Sequence, residues 1–149
     1  MKFSERVLSN TWWPVAVHAE GSELEAWEKI LSLWFNSTLV IMSLIAARVD
    51  TRGAWVELKK PILEEMGVLN PKELKKQQRT QLCGVYDEVS KLQVQPLPKI
   101  DSDGVHSRID AVLTTTLGVS DDLARLRKML AREPIVSMHL PSEPKKDAD

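Results

Sequence analysis

The sequence predicts an α+β fold that is mainly helical, with a small β-sheet near the N-terminus. Apolar residues recur at the three- and four-residue spacing of amphipathic helices, as in 24–34 and 82–89. Two shorter stretches, 9–17 and 54–58, are instead rich in aromatic and β-branched residues, which is typical of strands. With 149 residues, 43% of them hydrophobic, the chain is long enough to bury a core.

The first third of the chain is predicted to hold a strand and two helices. Pro14 confines the strand to a sheet edge or a bulge. Ser22 and Glu25 have the spacing of a capping box at the start of a helix. This helix ends or bends at 36–38, where Asn, Ser and Thr side chains compete for backbone hydrogen bonds. The stretch 39–49 is apolar almost all round and is predicted to be the most buried helix.

The rest of the chain is predicted to alternate between turns and helices. Gly53 permits a turn before the second strand, and Pro61 suits the first turn of a short helix. Asn70 caps a helix from Lys72 to about Lys91. The remaining elements are an extended connector over 93–104, a helix over 108–117 ended by Gly118, and a helix capped by Ser120 and stopped by Pro134.

These elements divide the chain into two predicted units. Residues 1–67 form an α+β unit, and residues 68–140 form a helical unit packed on it. Residues 141–149 lack apolar anchors and are predicted to be a disordered tail.

Charge and cysteine content narrow the function classes. The net charge is -1, so any contact with nucleic acid must come from a local patch rather than from a global positive field. Cys83 is the only cysteine, which excludes an internal disulfide and a cysteine-based metal site and agrees with a reducing cytoplasm. Polar residues interrupt the apolar window 30–49, which favours a buried helix pair over a membrane span. No secretory signal is evident, and a cytoplasmic location is predicted.

No catalytic, cofactor or metal site is predicted, and the chain is not expected to be an enzyme. The sequence has no phosphate-binding loop and no Gly-x-Ser-x-Gly elbow. His18, His106 and His139 are far apart and lack ligand spacing. The paired carboxylates at 64–65 and 121–122 fall on solvated helix faces or first turns, which does not suit acid–base catalysis.

Basic residues form three candidate contacts with DNA. Arg52, with Thr51 beside it, lies on a glycine turn that suits phosphate or guanine contact. Lys59 and Lys60 stand at a helix start, where backbone amides favour anions. A third group is spaced by three and four residues, which predicts one basic helix face: Lys72, Lys75, Lys76 and Arg79.

Each basic group also has a purely structural alternative. Arg52 can pair with Asp50 on a surface turn, and Lys59 and Lys60 can be a solvated helix end. The third group can be a solubilising face. The five tryptophans offer stacking surfaces for bases, but the positions of most of them on apolar stripes favour core packing.

Several short motifs occur in an order that resembles a known family. They are Ser-Asn-Thr-Trp-Trp-Pro at 9–14, Leu-Trp-Phe-Asn-Ser-Thr-Leu at 33–39, Leu-Lys-Lys-Pro at 58–61, Leu-Pro-x-Ile-Asp at 97–101, Arg-Ile-Asp at 108–110, Leu-Gly at 117–118 and Arg-Glu-Pro at 132–134. The chain resembles the region that follows the catalytic domain in bacterial and archaeal N6-adenine DNA methyltransferases of restriction-modification systems. It also resembles target-recognition domains of type I specificity subunits.

The resemblance implies a domain that helps to recognise or hold the DNA target while a separate catalytic domain or subunit transfers the methyl group. The chain departs from the complete enzymes because it has neither the Asn/Asp-Pro-Pro-aromatic motif nor the glycine-rich loop for S-adenosylmethionine. The predicted partners are therefore DNA and a methyltransferase catalytic domain or subunit, with no cofactor bound by this chain. The alternative is a helical protein-interaction module that docks onto such a partner or forms a homo-oligomer.

Overall fold

The fold is mainly helical. It was obtained as a computed structural model that describes residues 15–50, 56–119 and 122–137. The helices are α1 (Gly21–Phe35), α2 (Thr38–Ala46), α3 (Lys60–Glu65), α4 (Lys76–Val89), α5 (Gly104–Leu117), α6 (Leu123–Ala131) and α7 (Pro134–Ser137), with 3₁₀ helices at Pro71–Glu73 and Leu97–Ser102. Two strands of two residues, β1 (Val49–Asp50) and β2 (Val56–Glu57), pair antiparallel between α2 and α3.

The predicted α+β class is wrong. Within the described residues, extended pairing is limited to β1 and β2, and two residues per strand are too few to form a sheet layer that packs on a core. The predicted first strand falls mostly on 9–14, outside the described residues, and 15–17 carry no strand. In the second predicted strand, only Val56–Glu57 pairs. Strand-forming residue types were present, but the described chain offers no further strand with which they could pair.

The main core joins α1, α4 and α5. Ile30 and Leu33 of α1 pack with apolar residues from both other helices and from the connection before α4. The members from these segments are Leu74, Leu82, Val85, Val89, Val105, Ile109, Val112 and Leu113. This core therefore contains residues from both sides of the predicted boundary at 67–68.

A smaller core lies between α6, α7 and the second 3₁₀ helix. Ile100, Leu130 and Val136 are buried in it, and Ile41, Met42 and Ile45 of α2 pack against them. The predicted burial of α2 is wrong, because only Thr38 and Val40 of this helix are buried. Helix α2 has more apolar residues than the other described residues bury.

Helix boundaries follow local capping chemistry. Asn70 caps the first 3₁₀ helix by accepting a hydrogen bond from the Lys72 amide at 3.1 Å, as its predicted capping role requires. This short turn delays α4 to Lys76, four residues after its predicted start. Gly118 ends α5 with a φ of 65°, a left-handed conformation that suits glycine. The predicted capping box at Ser22 is absent, since α1 begins at Gly21 without a side-chain cap.

Candidate nucleic-acid interface

Lys75 and Lys76 stand exposed where α4 begins. Lys75 precedes the helix and Lys76 is its first residue. Within the described residues, neither side chain makes an ion pair with a carboxylate. Their two charges therefore remain available to solvent or to an anionic partner, beside the backbone amides of a 14-residue helix.

A shallow depression lies beside Lys76 on the same end of α4. Its lining combines the lysine with two amide side chains and a hydroxyl group, from Gln77, Thr80 and Gln81. These groups are the kinds of donor that proteins use on phosphate and sugar oxygens of nucleic acids. We call Lys75, Lys76, Gln77, Thr80 and Gln81 together the α4 basic surface.

The helix start that carries this surface is fixed by Gln78. Its side-chain oxygen accepts a hydrogen bond from the Lys75 amide at 2.8 Å, and its side-chain nitrogen donates to the Thr116 carbonyl oxygen at 2.8 Å. Gln78 thereby ties the first turn of α4 to the last turn of α5. The lysines project from a held backbone rather than from a loop.

Lys72 and Arg79 do not join this surface as the spacing predicted. Lys72 lies in the 3₁₀ helix before α4, and its ammonium group stands 5.3 Å from the centre of the Trp27 ring, a cation–π contact with α1. Arg79 is half-buried, with a guanidinium nitrogen 4.0 Å from a carboxylate oxygen of Glu23. Both side chains therefore face α1, and the single basic helix face predicted from four residues is reduced to Lys75 and Lys76.

Lys59 and Lys60 are separate from the α4 basic surface in sequence and in element. Lys59 is exposed at the residue before α3, and Lys60 begins that helix with its ammonium group 3.4 Å from Glu64. Thr51 and Arg52 lie outside the described residues. Phosphate contact by these four residues stays a prediction.

A buried polar cluster lies where α2 begins, and it was not predicted from the sequence. The Asp110 carboxylate of α5 accepts hydrogen bonds from the Thr38 amide at 3.0 Å and from the Thr38 hydroxyl at 2.7 Å. A guanidinium nitrogen of Arg127 on α6 also donates to this carboxylate, and another donates to Ser107 at 3.3 Å. Thr38, Asp110 and Arg127 are all buried, so they are not placed to touch a ligand.

This cluster and its neighbours give a structural role to three of the short motifs, those at 33–39, 108–110 and 132–134. Ser37, in the motif at 33–39, caps α2 by accepting from the Val40 amide at 3.3 Å. Asp110, in the motif at 108–110, then binds the first residue of the same helix. Glu133, in the motif at 132–134, binds Arg48 just after α2 at 3.0 Å. Ser37, Asp110 and Glu133 of these motifs therefore hold helices together.

Asp103 and His106 form a second buried pair at the start of α5. Asp103 caps the helix by accepting from the Val105 and His106 amides, both at 3.3 Å, and its carboxylate also bonds the His106 ring. Burial acts to raise the pKa of the Asp103 carboxyl, but the hydrogen bonds from His106 and the amides outweigh it and leave the pKa below its ordinary value. Helix capping is sufficient to explain this buried pair, and no catalytic role is needed.

Sequence reasoning missed three further cations on α6. Arg125, Lys128 and Arg132 are exposed, and their spacing of three and four residues was a usable signal for a shared helix face. Arg127 lies between them in sequence but points into the protein, toward Asp110. Arg127 shares the buried face of α6 with Leu123 and Leu130, whereas the three exposed cations lie on the opposite face.

Comparisons of the chain with protein-family models, with curated proteins and with solved structures find no match. Within 15–50, 56–119 and 122–137, no three His, Cys, Asp or Glu side chains are grouped so that they could hold a metal ion. In the same residues, no single helix is long and apolar enough to cross a membrane. Helices α1 and α2 reach that length and composition only as a pair, and the pair is bent by 59°.

Proposed function

We propose that the chain is a non-catalytic DNA-binding module that acts beside the catalytic domain or subunit of an N6-adenine DNA methyltransferase of a restriction-modification system. The observation that carries the DNA contact is the α4 basic surface, where Lys75 and Lys76 are exposed and make no ion pair within the described residues. The association with a methyltransferase is carried by the resemblance of the motifs at 33–39, 97–101, 108–110 and 132–134.

The chemistry of the α4 basic surface suits the phosphate backbone of a duplex better than the base edges. Lysine binds phosphate as a point charge with three rotatable donors, whereas bidentate base reading calls for a planar guanidinium or amide held in one orientation. Two lysines with amide and hydroxyl neighbours supply affinity and position on the duplex without sequence information. In this proposal, target choice depends on other residues of the chain or on its partner.

The test is duplex binding as a function of salt, measured by fluorescence anisotropy with a labelled DNA of mixed sequence. The variant is Lys75→Glu with Lys76→Glu. The matched control is Lys91→Glu with Lys99→Glu, which changes the net charge equally at two other exposed lysines. Lys91 follows the opposite end of α4, about 20 Å from Lys76 along the helix.

We expect the Lys75/Lys76 variant to bind at least about tenfold more weakly than the control variant at low salt. The slope of log affinity against log salt should fall by roughly 2, because about one counterion is released per phosphate contact. Circular dichroism should be unchanged, since both side chains are exposed. Equal affinity and equal salt slope in the two variants, with both folded, would contradict the proposal.

A second candidate function is a protein-interaction module with no DNA contact, and α2 favours it. This helix is apolar almost all round, yet only Thr38 and Val40 are buried. A helix of such composition is normally covered on every side, and incomplete cover is typical of interfaces. The partner in this alternative is a methyltransferase subunit or a second copy of the chain.

Sedimentation equilibrium distinguishes this candidate, because association through an apolar surface should persist or strengthen at high salt. Leu39 is half-buried on α2, and we expect Leu39→Glu to weaken association while Lys75→Glu leaves it unchanged. If the chain is a monomer at all protein and salt concentrations, self-association is ruled out. Failure to co-sediment with a methyltransferase subunit would remove the second form of this alternative.

A further inference from the structure

Helix α6 carries a row of cations on its outer face. Its inner face is formed by Leu123, Arg127 and Leu130, which are buried. Positions 125, 128 and 132 fall on the opposite side, because 3.6 residues complete each turn. We call Arg125, Lys128 and Arg132, all exposed, the α6 basic stripe. It extends for about 10 Å along the helix axis.

The two arginines of the α6 basic stripe differ from the other described arginines because they form no ion pair with a carboxylate of the described residues. Among the described residues, the remaining arginines each contact a carboxylate: Arg48 with Glu133, Arg79 with Glu23, Arg108 with Glu88 and Arg127 with Asp110. Arg125 and Arg132 make no ion pair within the described part of the chain, and neither does Lys128. Glu133 follows Arg132 directly but binds Arg48 instead.

Helix stability explains only part of the stripe. Cations in the last turn of a helix are favoured by the helix dipole, which accounts for Lys128 and for Arg132 at the C-cap. Arg125 lies in the first turn, where the dipole favours anions and disfavours a positive charge. A residue that works against its own helix and has no partner within the described chain is the kind of local conflict expected at a binding surface.

We propose that the α6 basic stripe is a second phosphate-contact surface, which binds the backbone of duplex DNA together with the α4 basic surface. This inference rests on the proposed DNA-binding function. Two guanidinium groups suit bidentate contact with phosphate oxygens. Duplex DNA carries about one negative charge per 1.7 Å of its axis, so a 10 Å row of cations meets several phosphates. An anionic membrane is a poorer fit, because Met129 is the only large exposed apolar residue that α6 presents within its described length.

The test adds a third charge-reversed protein to the anisotropy series. Arg125→Glu with Lys128→Glu changes the net charge by the same amount as the Lys75/Lys76 variant and as the Lys91/Lys99 control. Arg125→Gln with Lys128→Gln serves as the milder variant, because glutamine is a good helix former and leaves no new charge in α6. Thermal unfolding of each protein checks that the Arg127–Asp110 contact still holds the helix in place.

We expect the Arg125/Lys128 charge reversal to lower duplex affinity at least about tenfold relative to the control and to reduce the salt slope by roughly 2. The glutamine variant should show the same direction with a smaller loss. Wild-type binding that is weakened only by the Lys75/Lys76 change would overturn this inference and leave the proposed function intact. Loss in the α6 variants alone would support phosphate contact by the stripe but would contradict a joint contact with the α4 basic surface.

Two further outcomes are decisive. If the wild-type chain fails to bind duplex DNA even at low salt, both the proposed function and this inference fail. If the α6 variants lose binding to vesicles that contain phosphatidylserine but keep wild-type duplex affinity, the stripe belongs to a membrane contact and the inference is overturned.

Discussion

Thr38 donates two hydrogen bonds to the Asp110 carboxylate, from its amide at 3.0 Å and from its hydroxyl at 2.7 Å, across 72 residues of sequence. The carboxylate thus meets the N-terminus of α2, where the helix dipole and free amides favour an anion. Arg127 neutralises the same carboxylate from α6. One buried side chain therefore links three helices.

The first prediction concerns the charge on Asp110. Asp110→Asn should lower the free energy of unfolding by about 3–5 kcal/mol, because it leaves the buried Arg127 guanidinium without its counter-charge. Urea titration followed by circular dichroism measures the loss. The control is Glu88→Gln, which breaks an exposed pair with Arg108 and should cost under about 1 kcal/mol. Equal losses in the two variants would show that the buried cluster does not hold the helices together.

The second prediction concerns the hydroxyl group of Thr38. Thr38→Val keeps the side-chain shape but removes one hydrogen bond to the carboxylate, and we expect a loss of about 1.5–3 kcal/mol in the free energy of unfolding. The same change in the Asp110→Asn background should cost at least about 0.5 kcal/mol less, because the charged acceptor is already gone. Additive losses in this double-mutant cycle would contradict the coupling. Ser37→Ala, which removes the cap of α2, should cost about 1 kcal/mol in either background.

The sequence predicted the local features of this fold well. The apolar spacing of α1, α4 and α5 marks the faces that pack together, and the predicted residues 30, 82, 85, 89, 109, 112 and 113 are in the core. Gly118 is confirmed at the end of α5, and Asn70 is confirmed as a cap, although of the 3₁₀ helix Pro71–Glu73 and not of α4. A side-chain acceptor and a left-handed residue act within one or two residues of their own position. Such effects need no knowledge of distant partners.

Apart from the capping box at Ser22, which is a local feature, the predictions that failed or were missed depend on distant pairing. The strands were predicted from residue type, but strands form only where another strand is present to pair with them. Arg125 and Arg127 lie two residues apart with the same chemistry, but Arg127 lies on the buried face of α6 and finds its partner, Asp110, on the distant helix α5. For the same reason the basic face at 72–79 was overestimated, since Trp27 and Glu23 on α1 attract two of its four cations.

The third prediction concerns the pH dependence of stability. The folded pKa of Asp103 lies below its unfolded value of about 4. Its ionised form therefore stabilises the fold above that value, and this contribution is lost as the pH falls through the folded pKa. Asp103→Asn should be less stable than wild type by about 1–2 kcal/mol at pH 7.

Urea titrations between pH 7 and pH 3 should show this difference in the free energy of unfolding shrinking below about pH 4. A difference that is constant over the range would contradict the role of the charge. Asp101→Asn, at an exposed neighbouring position, should stay within about 0.5 kcal/mol of wild type at pH 7.

The last prediction uses one substitution at two glycines with opposite expected signs. Gly118 has a φ of 65°, and no atom lies within 4 Å of the position that a Cβ would take, so Gly118→Ala meets backbone strain without a clash. It should cost about 1 kcal/mol in the free energy of unfolding. Gly84 lies inside α4 with equally open space around its Cβ position. Gly84→Ala should therefore stabilise the chain by about 0.5–1 kcal/mol, since alanine loses less backbone entropy in a helix.

Thermal unfolding should give a lower Tm for Gly118→Ala and a higher Tm for Gly84→Ala. Shifts of the same sign would show that the left-handed end of α5, or the regular course of α4 through Gly84, is not formed in solution.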